Sequence, residues 1–170
     1  PTATPRPSLS YGGWVPKSIE PTPTQVSARP GLNILDAIAQ GDFLVVEQHM
    51  DVGTDLDEAF VPAGLPWAGA SALHLAVVMG NKEIVQILLD NGADIEIKAK
   101  DQPGGTPLQW IAFFGIKNMA EFMVTAGADV NAKDNNGCTP LCATTVKNPF
   151  VKKADLETLD KSRATIQEFL

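Results

Sequence analysis

The chain of 170 residues carries a net charge of −7, and 44% of its residues are hydrophobic. This length favours a single domain, and the apolar fraction is sufficient for a packed core. An acidic surface repels phosphate, which argues against nucleic acid as a partner, and no apolar run approaches the roughly 18 residues that a transmembrane helix requires. Two cysteines and two histidines exclude a disulfide-rich scaffold and zinc-finger spacing.

Residues 1–30 form a Pro- and Thr-rich arm that cannot build a core. They hold seven of the thirteen prolines and eight Ser or Thr residues, a composition typical of extended polyproline segments. Three basic residues against one acidic residue give the arm a net charge of +2, which leaves −9 for the rest of the chain. The arm is either a plain linker or a segment that packs on its own chain or on a partner, with Tyr11 and Trp14 as anchors.

The first residue is a proline, and no signal-peptide pattern is present. This start is compatible with removal of a methionine, a signal peptide or a transit peptide. A Pro/Thr stretch before a folded domain also resembles the spacer behind a lipid-anchored bacterial N-terminus. We therefore favour an extracytoplasmic or organellar location over a cytoplasmic one, and association with a membrane complex stays open.

Residues 33–58 are predicted to form a helical hairpin. Asn33 can cap a first helix that runs to Ala39, and Gly41 can end it. The apolar spacing predicts a second helix over Phe43–Met50.

The following loop, EAFVPAGLPWAGA, is apolar for a surface connection because it contains Phe60, Val61, Leu65 and Trp67. Exposed loops of this composition often mark contact sites. The alternative is that the loop folds over the edge of the first hairpin.

The clearest unit lies at residues 104–133. Thr106 can cap a helix whose first turn contains Pro107, and Gly115 can end that helix in a left-handed conformation. A second helix is predicted to end before Gly127. The pattern recurs along the chain, because Leu73, Leu108 and Leu141 are spaced by 35 and 33 residues, a period typical of stacked solenoids.

These units resemble ankyrin repeats, whose pattern runs Asp-x-x-Gly-x-Thr-Pro-Leu-His-x-Ala, then Gly, then an apolar helix and Gly-Ala-Asp-Val-Asn. The resemblance implies an all-α ankyrin-repeat solenoid of about four helix–turn–helix units with degenerate end caps and an extended Pro/Thr-rich N-terminal arm. It divides the chain into an arm, 1–30, and a repeat domain, 31–170, with repeats at about 33–58, 69–100, 101–133 and 134–170.

The fourth unit departs from the pattern. Asn148 stands where the other units carry glycine, and residues 148–160 look like an insertion. Residues 164–170 then match a second helix that caps the stack, with Ile166, Phe169 and Leu170 facing inward.

Cys138 and Cys142 lie four residues apart, at a predicted turn and helix start. A disulfide between them is conceivable in an oxidising compartment, but two free thiols are the favoured interpretation.

The polar residues indicate structure rather than catalysis. In the ankyrin family, a histidine at the position of His74 hydrogen-bonds the backbone between neighbouring units. Asp55, Asp94 and Asp129 recur once per unit and match the loop aspartates of the family, so we expect them to cap turns. We predict no cofactor or metal site, because these carboxylates would be spread about 10 Å apart along the stack.

The resemblance implies protein binding by the concave face, where the residues before the mid-repeat glycine meet the partner. We therefore predict a non-enzymatic protein-interaction module, acting as an adaptor, inhibitor or accessory subunit. The alternative is a structural subunit held permanently in a larger assembly through its arm. Phe113 and Phe114 either form a recognition stripe or are buried by a neighbouring unit and the arm. The candidate contact residues are Trp67, Val78, Met79, Ile97, Gln102, Phe113, Phe114, Val146 and Lys147.

Overall fold

A computed structural model describes residues 32–65, 67–101, 103–146 and 156–170, with side chains in the last segment from Arg163 onward. The predictions for Tyr11, Trp14, Gln102 and Lys147 fall outside these residues. The described residues contain eight helices, which are α1 Ile34–Gln40, α2 Phe43–Asp51, α3 Ala72–Met79, α4 Lys82–Asp90, α5 Pro107–Phe114, α6 Lys117–Thr125, α7 Pro140–Ala143 and α8 Leu156–Phe169.

Side-chain caps start the inner helices of the four helix pairs. The side-chain oxygen of each cap accepts a hydrogen bond from the backbone N–H three residues later, which satisfies one of the free donors of the first turn. The caps of α1, α3, α5 and α7 are Asn33, Ser71, Thr106 and Thr139. Left-handed glycines end the first three of these helices, with φ between 70° and 74° at Gly41, Gly80 and Gly115. These predicted boundaries at Asn33, Thr106, Gly41 and Gly115 are confirmed.

The helices stack as two rows. The inner helices α1, α3, α5 and α7 pack on one another in chain order, and α2 packs on α4 in the outer row. α8 closes the outer row by contacting both α5 and α6. The core runs through all four pairs between the rows, and it includes the fully buried Ile38, Leu73, Leu108 and Ile166. The all-α solenoid that the sequence predicts is confirmed.

Backbone hydrogen bonds between consecutive loops hold the pairs in register. The Lys100 amide donates to the carbonyl of Gly69 at 2.7 Å, and the Asn135 amide donates to the carbonyl of Pro103 at 3.0 Å. Gly69 permits this approach, because an added Cβ would lie 2.7 Å from the backbone nitrogen of Asp101. Loop-to-loop contact of this closeness fixes where each following helix starts.

The loop between the first two pairs closes on itself. Phe60 forms an antiparallel bridge with Ser71, at the start of α3. Val61 is buried, whereas Leu65 is 56% exposed. Trp67 packs against rings of α5, in the third pair. The loop therefore contributes both to the core and to an exposed face.

The C-terminal pair differs from expectation in three places. α8 begins at Leu156, inside the predicted insertion. Ile166 is fully buried as predicted, but Phe169 is 42% exposed, so its predicted inward orientation is wrong. The inward face follows Arg163, Ile166 and Leu170 at helical spacing, which leaves Phe169 beside that face. Leu141 is 46% exposed, unlike its counterparts in α3 and α5, because it lies on the last inner helix of the described residues.

Cys138 and Cys142 form a disulfide, which corrects the favoured interpretation of two free thiols. Cys138 directly precedes the cap Thr139, and Cys142 lies in the first turn of α7. That turn brings the two Cα atoms to 5.4 Å, within the range that a disulfide requires.

Two glycine substitutions separate backbone strain from loop-to-loop contact. Gly64 and Gly69 both have positive φ, 89° and 84°, so alanine is strained at either position. Only Gly69 faces a neighbouring backbone, since no atom lies within 4 Å of a Cβ at Gly64. In chemical denaturation we expect Gly64→Ala to lower the free energy of unfolding by about 1 kcal/mol and Gly69→Ala by about 3 kcal/mol. Equal losses would contradict the proposed role of this contact.

Candidate protein-binding site

A cavity of about 490 Å³ opens between the loop that carries Trp67 and helices α5 and α7. Most of its lining is apolar and aromatic. We call this surface the aromatic groove, and its principal residues are Trp67, Trp110, Phe113, Phe114 and Val146, with Asp101 and Asp134 among its polar members.

Four aromatic rings form a continuous cluster along the groove. The ring centroids of Trp67 and Phe114 lie 5.2 Å apart, those of Phe113 and Phe114 5.0 Å apart, and those of Trp67 and Trp110 6.2 Å apart. The edge-to-face and tilted geometries are those that aromatic quadrupoles favour. All four side chains are half-buried, so each presents part of its ring to the groove.

Trp67 is held in an unusual backbone conformation, with φ of 65°. A bulky side chain in the left-handed region is rare and costs about 1 kcal/mol or more. The Ala70 amide donates to the Trp67 carbonyl at 2.9 Å, and the Ala68 amide donates to the Leu65 carbonyl at 3.2 Å, which closes the turn. These hydrogen bonds hold Trp67 in its strained conformation, in which the indole contacts the rings of α5.

Gln109 fixes the floor of the groove. Its Oε1 accepts a hydrogen bond from the Thr106 amide at 2.7 Å, which completes a capping box. Its Nε2 donates to the carbonyls of Ala132 and Cys138 at 3.2 Å and 2.5 Å. The groove walls formed by α5 and by the loop before α7 are thus joined by one buried side chain.

His74 supports the groove from beneath and joins the second pair to the third. The Ser71 amide donates to His74 Nδ1 at 3.3 Å, so Nδ1 is the acceptor and Nε2–H donates to the Gly105 carbonyl at 2.9 Å. The imidazole lies 4.9 Å from the Trp110 ring, centroid to centroid. Burial lowers the pKa of His74 to about 4, which keeps the ring neutral. The predicted structural role of His74 is confirmed.

The charged groups that line the groove are acidic. The Asp101 carboxylate accepts a hydrogen bond from the Gly104 amide at 3.0 Å, and the Asp134 carboxylate accepts from the Asn136 and Cys138 amides at 2.8 Å and 2.9 Å. No Lys or Arg occurs among the described residues of the lining. The groove therefore combines aromatic faces with fixed negative charge.

The structure gathers some of the predicted contact residues and separates others. Trp67, Phe113, Phe114 and Val146 line the same groove. Met79 is 45% exposed and Val78 is half-buried, but neither lines the groove.

Ile97 requires a correction. It is 9% exposed and belongs to the hydrophobic core, so it is not presented on the loop surface where the sequence analysis put it. The Ile97 amide donates to the Asp94 carbonyl at 3.1 Å, and this turn places the Ile97 side chain in the core while Lys98 stays exposed.

Trp110 was missed by the sequence analysis, although it touches both Trp67 and Phe114. A local signal was available, since Trp110 and Phe114 are four residues apart on α5 and therefore share one face of the helix. The contact between Trp110 and Trp67 joins residues that are 43 positions apart, and no sequence pattern indicates that they are close.

The loop aspartates that recur once per unit serve the turns. Asp55, Asp94 and Asp129 each accept a hydrogen bond from the amide two residues later, at 2.8 to 3.0 Å, which confirms the predicted turn capping. The described residues contain no cluster of three or more His, Cys, Asp or Glu that could hold a metal ion. Within the same part of the chain, no helix is long and apolar enough to cross a membrane.

Comparison with known proteins matches the ankyrin repeat family model to residues 68–100 and 104–135, which contain the second and third helix pairs. Protein phosphatase 1 regulatory subunit 27 is similar to this chain in both Mus musculus and Homo sapiens. In each case the identity is 35% over 106 residues, which is 62% of this chain and 64% of the relative.

Larger proteins share the same region. Diacylglycerol kinase zeta from Rattus norvegicus is 30% identical over 110 residues, which is 65% of this chain and 11% of that protein. Ankyrin repeat and SAM domain-containing protein 6 from Rattus norvegicus is 30% identical over 122 residues, 72% of this chain and 13% of the relative. The chain thus spans less than two thirds of the length of any of these relatives.

The buried histidine predicts how stability depends on pH. An unfolded histidine has a pKa near 6.5, whereas folded His74 has a pKa of about 4. Between these values the unfolded chain binds a proton that the folded chain excludes, so the free energy of unfolding should fall as the pH drops from about 6.5 to 4. The loss attributable to His74 is at most about 3 kcal/mol.

His74→Gln isolates this contribution, because Gln109 already fills the corresponding role in the next pair. Denaturation at several pH values should give a shallower acid loss for the variant than for the wild type. Burial raises the pKa of Glu96, but that group is present in both chains and cancels in the difference. His49→Gln is the control, and parallel profiles for wild type and His74→Gln would contradict the assignment.

Proposed function

The chain belongs to the ankyrin repeat family, and on that premise we propose that it is a non-enzymatic binding module that acts as an adaptor, inhibitor or accessory subunit through the aromatic groove. The observation that carries the proposal is the cluster of four half-buried rings beside Val146. Rigid aromatic side chains supply large contact areas at low cost in entropy, which is why they are frequent hot spots.

The strain at Trp67 supports a functional role for the loop. Strained residues persist where surrounding contacts enforce them, and they cluster at binding sites. A glycine would adopt the same φ without strain, so the strain at this position is tied to the presence of the indole. The side chain forms one wall of the groove with Phe114, which a partner would contact together with it.

The charge of the groove favours a partner segment that is both apolar and basic. Aromatic faces attract cations, and Asp101 and Asp134 add negative charge to the same lining. The partner we propose is an exposed protein segment with a large apolar side chain next to a Lys or Arg.

Similarity to regulatory subunit 27 of protein phosphatase 1 supports an accessory role. Ankyrin scaffolds serve unrelated partners, so a partner must be argued from the site and not from the fold. The catalytic subunit of protein phosphatase 1 is nevertheless a defined protein with which to begin binding measurements.

A structural subunit held permanently in a larger assembly is the second candidate function. The observation that favours it is the exposure of large apolar side chains outside the groove, including Phe43 at 51% and Leu44 at 50%. Solution behaviour discriminates the two candidates. A monodisperse chain without its partner favours reversible binding, whereas insolubility without the partner favours the permanent subunit.

Replacing Phe113 and Phe114 together with alanine tests the groove. If these rings are hot spots, the double variant should lose about 2 kcal/mol or more of binding free energy, roughly a 30-fold increase in Kd. The measurement is titration calorimetry with the purified phosphatase catalytic subunit or with a partner identified by affinity capture from the native source.

Met79→Ala is the matched control, because Met79 is an exposed apolar residue that does not line the groove. Phe113 also accepts a hydrogen bond from Arg163 through its carbonyl, which the substitution retains. The substitution also removes two half-buried rings that pack on their neighbours, so circular dichroism and thermal unfolding must show that the double variant folds. A folded double variant with unchanged Kd would exclude the groove as the binding site.

A further inference from the structure

We propose that the segment Tyr11–Lys17 of the chain's own N-terminal arm occupies the aromatic groove. The groove lies in the described part of the chain, whereas the segment lies outside it. Three features of the chain favour this occupant over an external partner: the place where the arm joins the fold, the length of the arm, and the chemistry of the segment and the groove.

The arm joins the first helix pair at the edge of the stack where the inner helices begin, and part of the groove lies along that edge. Asn33 caps α1 as Thr106 caps α5, so the chain enters both inner helices from the same end. The groove lining includes Gly105, which precedes the cap of α5. Leu32, the first described residue, packs against the core just before the cap of α1. The arm therefore does not have to cross the stack to reach the groove.

The arm is long enough to span the distance. Eighteen residue steps separate Trp14 from Leu32. At about 3.1 Å per residue in a polyproline conformation, this stretch reaches roughly 55 Å. Neighbouring helices pack about 10 Å apart, so α5 lies roughly 20 Å from α1 along the inner row. The linker can thus place Trp14 at the groove with length to spare.

The segment has the chemistry that the groove selects. It contains two aromatic residues, Tyr11 and Trp14, followed by Pro16 and Lys17. Large aromatic side chains bind well beside other rings, because edge-to-face contacts add to the free energy gained from the buried area. An indole can insert beside the exposed rings while the lysine approaches the acidic lining.

Net charge acts in the same direction. The arm carries +2 and the rest of the chain −9, and the described residues of the groove lining include acidic but no basic side chains. Attachment to the same chain raises the effective concentration of the segment, so even a weak intrinsic affinity suffices. An external partner would then have to displace the arm before it could use the groove.

A paramagnetic label on the arm tests the proposal in the full chain. Both native cysteines are joined in the disulfide, so Ser18→Cys supplies a single free thiol for a nitroxide. Intensities of ¹H–¹⁵N correlation signals are compared with those of a chain that carries a diamagnetic analogue. We expect loss of the indole signals of Trp67 and Trp110 and of the amide signal of Gly105, with retention of the amide signal of Leu44 on the outer row.

Two controls test whether the signal loss requires Trp14 and whether it arises within one chain. Trp14→Ala in the labelled chain alters only the arm, and it should restore the groove signals. Mixing labelled chain without ¹⁵N and unlabelled chain with ¹⁵N detects docking between copies, which we expect to be absent. Groove signals that are retained in the labelled chain, lost to the same extent in the mixed sample, or unaffected by Trp14→Ala would each overturn the proposal.

Discussion

The fold depends on a buried hydrogen bond from one helix pair to the loop of the next. His74 donates through Nε2 to the carbonyl of Gly105, and Gln109 donates through Nε2 to the carbonyl of Cys138. An apolar interface alone would let neighbouring layers slide, because the hydrophobic effect is non-directional. A buried donor without its acceptor is costly, so each bond admits one register. The different residue types at these two positions share the same geometry, which indicates that the bond and not the imidazole is required.

The same bonds shape the groove. Because the loop at Gly105 is held against His74, its Cα lies close to α5, where an added Cβ would come within 3.2 Å of Gln109 Oε1 and 3.3 Å of Trp110. The Trp110 ring makes an edge-to-face contact with the imidazole and lies at 47° to the Trp67 ring. The position of the proposed binding surface is therefore a consequence of how the layers are locked together, and a partner would meet rings that are already placed.

Local chemistry accounts for what the sequence could predict. A cap such as Thr106 and a left-handed residue such as Gly115 act within a few positions, so helix boundaries follow from short patterns. Ile97 and Phe169 were placed wrongly because their burial depends on contacts between elements, which a repeat pattern does not contain. The aromatic groove was found only in part for the same reason, since the Trp67 loop is additional to the repeat and carries no family register.

The chemistry left exposed in the groove determines what kind of recognition it can provide. His74 uses both ring nitrogens in hydrogen bonds, and Asp101 and Asp134 accept hydrogen bonds from turn amides. The hydrogen bonds of these groups hold the turns and the contacts between neighbouring helix pairs, so reorienting any of the groups would disturb one of them. The aromatic rings present their accessible part to the groove, and the Arg163 guanidinium lies 5.3 Å from the Phe113 ring centroid. Affinity would therefore come from apolar area, and the carboxylates would contribute through long-range attraction that favours basic segments over acidic ones. If the weakly basic arm with its own tryptophan occupies the groove as proposed, the arm and an external partner would be alternatives for one surface.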